Sequence, residues 1–135
     1  MANNKKTLKL NTKDKSKQLS FVDLDYLGTG AYNCEIHVIS SGFMCKREFS
    51  FDNDEYFLTK VRNVAEHQQG EAELTDLQAD SFIRFKPYIN NEILVTGYIV
   101  ENTNVTQSIE FAFSIDAACI NAFINSFEKM VRANI

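Results

Sequence analysis

Between residues 19 and 51, apolar side chains recur at alternate positions. Val22, Leu24 and Tyr26 alternate with Asp23 and Asp25, and Tyr32, Cys34, Ile36 and Val38 alternate with Asn33, Glu35 and His37. Phe43, Cys45, Phe49 and Phe51 share one face of a third segment. A period of two belongs to a strand with one face in the core and one in water. Gly28-Thr29-Gly30 and Ser40-Ser41-Gly42 separate the segments, so the pattern predicts a β-meander. The period then becomes helical over Phe57, Leu58, Val61, Val64 and Ala65. Asp52-x-x-Glu55 can form a capping box ahead of that helix, with Asn53 and Asp54 as alternative caps, and Gly70 is placed to stop it.

Short strands are expected near Ala72-Leu77 and Ser81-Lys86, with Pro87 arguing against the second as a central strand. Asn90-Asn91 suits a tight turn, because asparagine tolerates positive φ. Ile93, Val95, Gly97 and Ile99 mark the next strand, and Glu101-Asn104 the turn after it. Val105, Ile109, Phe111, Phe113 and Ile115 alternate through another. A last helix starts at Asp116 and carries Ile120, Phe123, Ile124, Phe127, Met130 and Val131 on one face. The fold class is therefore α+β: a mainly antiparallel sheet, built as a meander, with two amphipathic helices. Residues 1–17 read as a polar, Lys-rich, partly flexible leader with at most one edge strand around Thr7-Leu10, and residues 18–135 as a single domain. Glu48-Phe49-Ser50-Phe51 matches Glu110-Phe111-Ala112-Phe113 at an offset of 62, which also pairs Asp54 with Asp116, Leu58 with Ile120 and Val61 with Phe123. The offset suggests two related β-hairpin–α units.

Composition narrows the function classes. The 135 residues are 44% hydrophobic with eleven Phe, enough for one packed core. No apolar run approaches the roughly 18 residues of a membrane helix, and the polar stretch Met1 to Gln18 lacks the apolar region of a secretory signal. A cytoplasmic location without membrane contact is the expectation. Asn104-Val105-Thr106 fits a glycosylation sequon but has no export signal to accompany it. The net charge of −4 is divided unevenly. The first 17 residues hold six Lys against one Asp, and the other 118 hold eight basic and 17 acidic residues, a balance of −9. That acidic body disfavours nucleic acid and favours a basic protein partner.

Candidate chemistry is sparse. Cys34, Cys45 and Cys119 make an odd number without metal-binding spacing, and two sit on apolar strand faces, so neither a disulfide framework, a metal site nor a catalytic thiol is indicated. The five glycines read as turn, cap and strand positions, and no phosphate loop is present. No cofactor and no catalytic residue is implied. Glu35 and His37 share a strand face and could share a proton or a metal, but no third ligand lies near in sequence. His67 suits the last turn of its helix. Arg47 and Arg84 fall in phase with apolar neighbours, as partly buried arginines paired with carboxylates do. Asp23, Asp25, Glu71 and Glu73 fall on solvent-facing positions. With Asp76 and Asp80 they are the candidate partner-binding set.

The segment Phe111-x-Phe113-x-x-Asp116-x-x-x-Ile120-x-x-Phe123-x-x-x-Phe127 resembles the C-terminal signature of the WapI-type immunity proteins, small bacterial proteins encoded beside polymorphic or contact-dependent toxins. The layout over residues 18–132 is similar as well. The resemblance implies an intracellular, non-enzymatic protein that binds and blocks a cognate toxin domain, here through an acidic surface. Two rival classes stand beside it. One is a small-ligand-binding or enzymatic domain whose pocket gathers His37, Glu35 or Arg47. The other is an oligomerisation or scaffold module pairing through an exposed sheet edge.

Overall fold

The computed structural model describes residues 6–78, 80–102 and 106–134. Its elements are β1 (Lys6–Leu10), β2 (Lys17–Gly28), β3 (Ala31–Ser40), β4 (Phe43–Phe51), α1 (Asp54–His67), β5 (Ala72–Thr75), β6 (Phe82–Pro87), β7 (Ile93–Asn102), β8 (Thr106–Ile115) and α2 (Ala117–Ala133). The strands form two antiparallel four-stranded sheets, ordered β1-β2-β3-β4 and β5-β6-β7-β8. The fold is α+β and mainly antiparallel. Each sheet is a simple meander that ends in a helix, so the chain runs through the same succession twice. β1 lies at an edge of the first sheet and buries Leu8 and Leu10. The expected turn at Glu101-Asn104 and the sequon at Asn104 fall largely outside the described residues.

The internal match holds with one adjustment. Phe49 and Phe51 in β4 and Phe111 and Phe113 in β8 are all buried, in keeping with the offset of 62. The helices begin at Asp54 and Ala117, however, 63 positions apart. Phe57, Val61 and Val64 therefore correspond in position to Ile120, Ile124 and Phe127, and Asn53 to the N-cap Asp116. The pairing of Leu58 with Ile120 and Val61 with Phe123 is out by one residue, because β8 and its link to α2 are one residue longer.

Both helices and the inner faces of both sheets close on one aromatic core. Phe21 of β2 packs against Phe123 of α2 at 5.9 Å between centroids, and Phe123 against Phe85 of β6 at 5.7 Å. Phe57 of α1 meets Phe85 at 5.6 Å and Phe127 at 5.1 Å, while Phe51 reaches Phe127 at 6.3 Å. Such pairs add to the burial of the rings themselves.

Several local expectations change. In β2 the buried apolar residues are Leu19, Phe21 and Leu24, while Val22 is half-buried and Tyr26 exposed. A bulge between Val22 and Asp25, with Asp23 at φ 56°, inserts an extra residue and breaks the alternation. No capping box forms at α1. Its N-cap, Asn53, is left-handed (φ 57°) and makes no side-chain cap bond. The Asp54 carboxylate accepts instead from the Glu55 N–H (2.7 Å) and the Tyr32 hydroxyl (3.0 Å). Left-handed Gln68 ends α1, its N–H donating to the Val64 carbonyl, before Gly70 is reached. β6 is an interior strand despite Pro87, which is its last residue and lies opposite Ile93. Asn90 and Asn91 do take positive φ in the turn before β7.

Candidate functional site

The register of the first sheet gathers acidic side chains at one end. Asp25 stands opposite Asn33, and Asn33 opposite Ser50; one step along, Glu35 stands opposite Glu48. Asp23 projects from the bulge beside them, and Asp52 and Glu55 follow as β4 passes into α1. Asp23, Glu48, Asp52 and Glu55 are exposed and Asp25 half-buried. Among the described residues none of these five is in an ion pair, and Glu35 is paired only with His37, at 2.5 Å. Like charges directly across a ladder repel, so the Glu35–Glu48 pair costs stability and sets up a negative potential.

The rest of the candidate set is not part of this surface. Glu71 precedes the edge strand β5 and Glu73 lies within it, and both pair with Arg84 of β6. The single guanidinium offsets half of their charge. Asp76 is 8% exposed, and its carboxylate accepts from the backbone N–H of Ser50 (3.1 Å) and Gln78 (3.3 Å). It joins the first sheet to the segment after β5, a structural role. Asp80 is exposed in the link from β5 to β6. Glu48, Asp52 and Glu55 were missed in the sequence. The signal for Glu48 was available, because the Ser41-Gly42 turn fixes the β3–β4 register and so its position opposite Glu35.

His37, Glu35 and Arg47 do not converge. His37 pairs in the ladder with Lys46 on the outer face, whereas Arg47 stands opposite buried Ile36 on the inner face. Arg47 reaches Glu101 of β7 at 3.1 Å, a half-exposed ion pair across the two sheets. It lies in an open groove of about 590 Å³, with Phe43 to Arg47 on one wall and Ile99 to Glu101 and Gln107 to Glu110 on the other. Phe43 and Met44 there are 67% and 69% exposed.

Elsewhere the chemistry is quiet. Burial pushes the Cys34 thiol up to about 12, and the Cys45 and Cys119 thiols are raised chiefly by the same cause, so none is activated as a thiolate. Burial raises the Tyr32 hydroxyl as well, with Asp54 adding to the effect. Among the described residues, no group of three or more His, Cys, Asp or Glu could hold a metal ion. No described helix is long and apolar enough to cross a membrane.

The chain matches no family model, no curated protein sequence and no solved structure.

Proposed function

We propose that this chain is an immunity-type protein that binds a basic toxin domain and neutralises it by covering its surface, acting in the cytoplasm without chemistry of its own. The acidic end of the first sheet supports this reading most strongly. Asp23, Asp25, Glu48, Asp52 and Glu55 lie together there without a basic partner among the described residues. Unpaired carboxylates on one end of a rigid sheet steer a basic partner into contact and disfavour acidic ones. The separation of His37 from Arg47 weighs against the rival pocket, because the groups that would have to cooperate face opposite ways. Glu71, Glu73 and Asp80 are secondary to this surface.

The test is growth rescue. On this reading a toxin domain is encoded beside the chain; the two are coexpressed, and rescue by the natural chain is compared with rescue by Asp23→Lys, Asp25→Lys, Glu48→Lys combined. The natural chain restores growth; the triple variant does not, and its binding weakens about tenfold or more, the equivalent of roughly 1.4 kcal/mol. Failure of the natural chain to rescue, or full rescue by the triple variant, overturns the reading.

A further inference from the structure

A second hollow lies at the acidic end of the first sheet, where the β2–β3 turn meets the start of α1 and the end of α2. It holds about 440 Å³ and is lined by Tyr26 and by Tyr56, which is 66% exposed. Tyr26 is fixed in place. Its hydroxyl accepts from the Gly30 N–H (3.2 Å), and its ring packs on Tyr32 at 5.1 Å between centroids. Asp54 and Glu55 line the same hollow. Asp54 is 6% exposed, and the donors to its carboxylate are both neutral, the Tyr32 hydroxyl and the Glu55 N–H. Among the described residues no ion pair reaches Asp54 or Glu55, and no basic residue lines the hollow. A carboxylate has about four acceptor positions, so Asp54 can take further donors. The helix ends do not decide the sign here. The N-terminus of α1 brings a partial positive charge and the C-terminus of α2, at Val131 and Asn134, a partial negative one. The two carboxylates are left to set it.

We infer that this hollow receives an arginine side chain of the basic partner, with the guanidinium stacked on the tyrosine rings and donating to Asp54 and Glu55. The inference rests on the proposed function and names the contact that anchors the complex. Charge selects a cation. Two carboxylates without a basic neighbour stand beside aromatic faces, and the ring quadrupole itself attracts positive charge. An apolar side chain seated there would leave the Asp54 charge buried without a counter-charge, and an anion would be repelled. Geometry selects arginine over lysine. A planar guanidinium stacks on a ring while its five donors reach acceptors on several sides, whereas an ammonium is compact and strongly hydrated. Lys60 of the same chain does not fill the hollow. Its Nζ lies over the Tyr56 ring at 5.7 Å from the centroid, and the residue is not part of the lining. The hollow is continuous with the acidic surface, because Glu55 belongs to both and Asp25 precedes Tyr26 in β2. The surface carboxylates therefore steer the partner, and the rings hold one of its side chains.

The experiment is a titration of the full chain with a tetra-arginine peptide, followed by the NMR ring signals of the tyrosines, with tetra-lysine as the probe of equal charge. Tetra-arginine is expected to shift the Tyr26 and Tyr56 signals and to leave those of Tyr88, which lies beside Lys13 and Lys17, in place. Tyr56→Ala changes no charge and removes an exposed ring, so it separates the hollow from the general acidity of the chain. It should weaken tetra-arginine binding at least about fivefold, and tetra-lysine should bind the natural chain at least about threefold more weakly than tetra-arginine. Undiminished binding by Tyr56→Ala, equal affinity for the two peptides, or shifts confined to other tyrosines overturns the inference. Growth rescue separates it from the reading on which it rests. Full rescue by Tyr56→Ala overturns the hollow as the anchor while toxin binding stands. Tyr26 and Tyr56 shifts without rescue by the natural chain overturn the toxin as partner while the arginine site stands.

Discussion

Gly97 of β7 lies opposite Phe111 of β8, and a Cβ at Gly97 would fall 2.3 Å from two atoms of the Phe111 ring. The ring occupies the space that a side chain would need. An alanine in a strand ordinarily improves on glycine by lowering the entropy lost on folding; here it must displace a buried ring. Gly97→Ala is expected to destabilise the protein by about 1–3 kcal/mol in urea unfolding, and an increase in stability would contradict the packing. The sequence placed Gly97 on a core-facing position of its strand but did not say what covers it. Asp76 teaches the same lesson from the polar side. In the sequence it is one of several carboxylates after an acidic strand, and only the fold brings the Ser50 N–H to it. Hydrogen-bond partners 26 residues away leave no local trace.

The two helices meet their strands differently. Asp116 accepts from the Cys119 N–H at 2.9 Å, a side-chain N-cap for α2. That bond, followed by the contact with Lys13, holds its carboxyl at about 2, below the ordinary 3.8. A depressed carboxylate pKa contributes stability that is present above 3.8 and lost as the pH falls through about 2. Asp116→Ala should therefore cost about 1 kcal/mol near neutral pH, and thermal melts of the variant and the natural chain should draw together as the solution is acidified through that window. A gap of constant size would refute the cap. α1 has no such acidic cap; left-handed Asn53 and the β2–β3 turn do the work, with the Asp54 N–H donating to the Gly30 carbonyl. The helices themselves were legible because a 3.6-residue apolar stripe is a property of the chain alone. The β2 bulge was not, since an alternating Val22, Leu24, Tyr26 reads as a continuous strand and the shift at Asp23 is set by pairing with β3.

At the scale of the molecule, the two strand-to-helix units are not two folding units. Phe123 of the second touches Phe21 of the first as well as Phe85 and Phe127 of its own. A core shared in this way couples both halves. Phe123→Ala is expected to cost about 3–5 kcal/mol, and unfolding should appear as one transition, coincident by far-ultraviolet circular dichroism and tyrosine fluorescence. Two separate transitions would show that each unit is stable alone.

The sequence by itself determined the α+β class, the two amphipathic helices, the Phe-rich strands that feed them and the repeat they form. Each of these follows from periodicity within a few turns or strand steps, where neighbours in sequence are neighbours in space. Tertiary structure decided the rest. Pairing of β2, β3 and β4 drew Asp23, Asp25 and Glu48 to one end while leaving Glu71 and Glu73 on Arg84. It set Arg47 against Glu101, 54 residues away, and turned His37 to the other face. Which charges are compensated and where a hollow forms depend on contacts between distant segments, and those exist only once the chain has closed on its core.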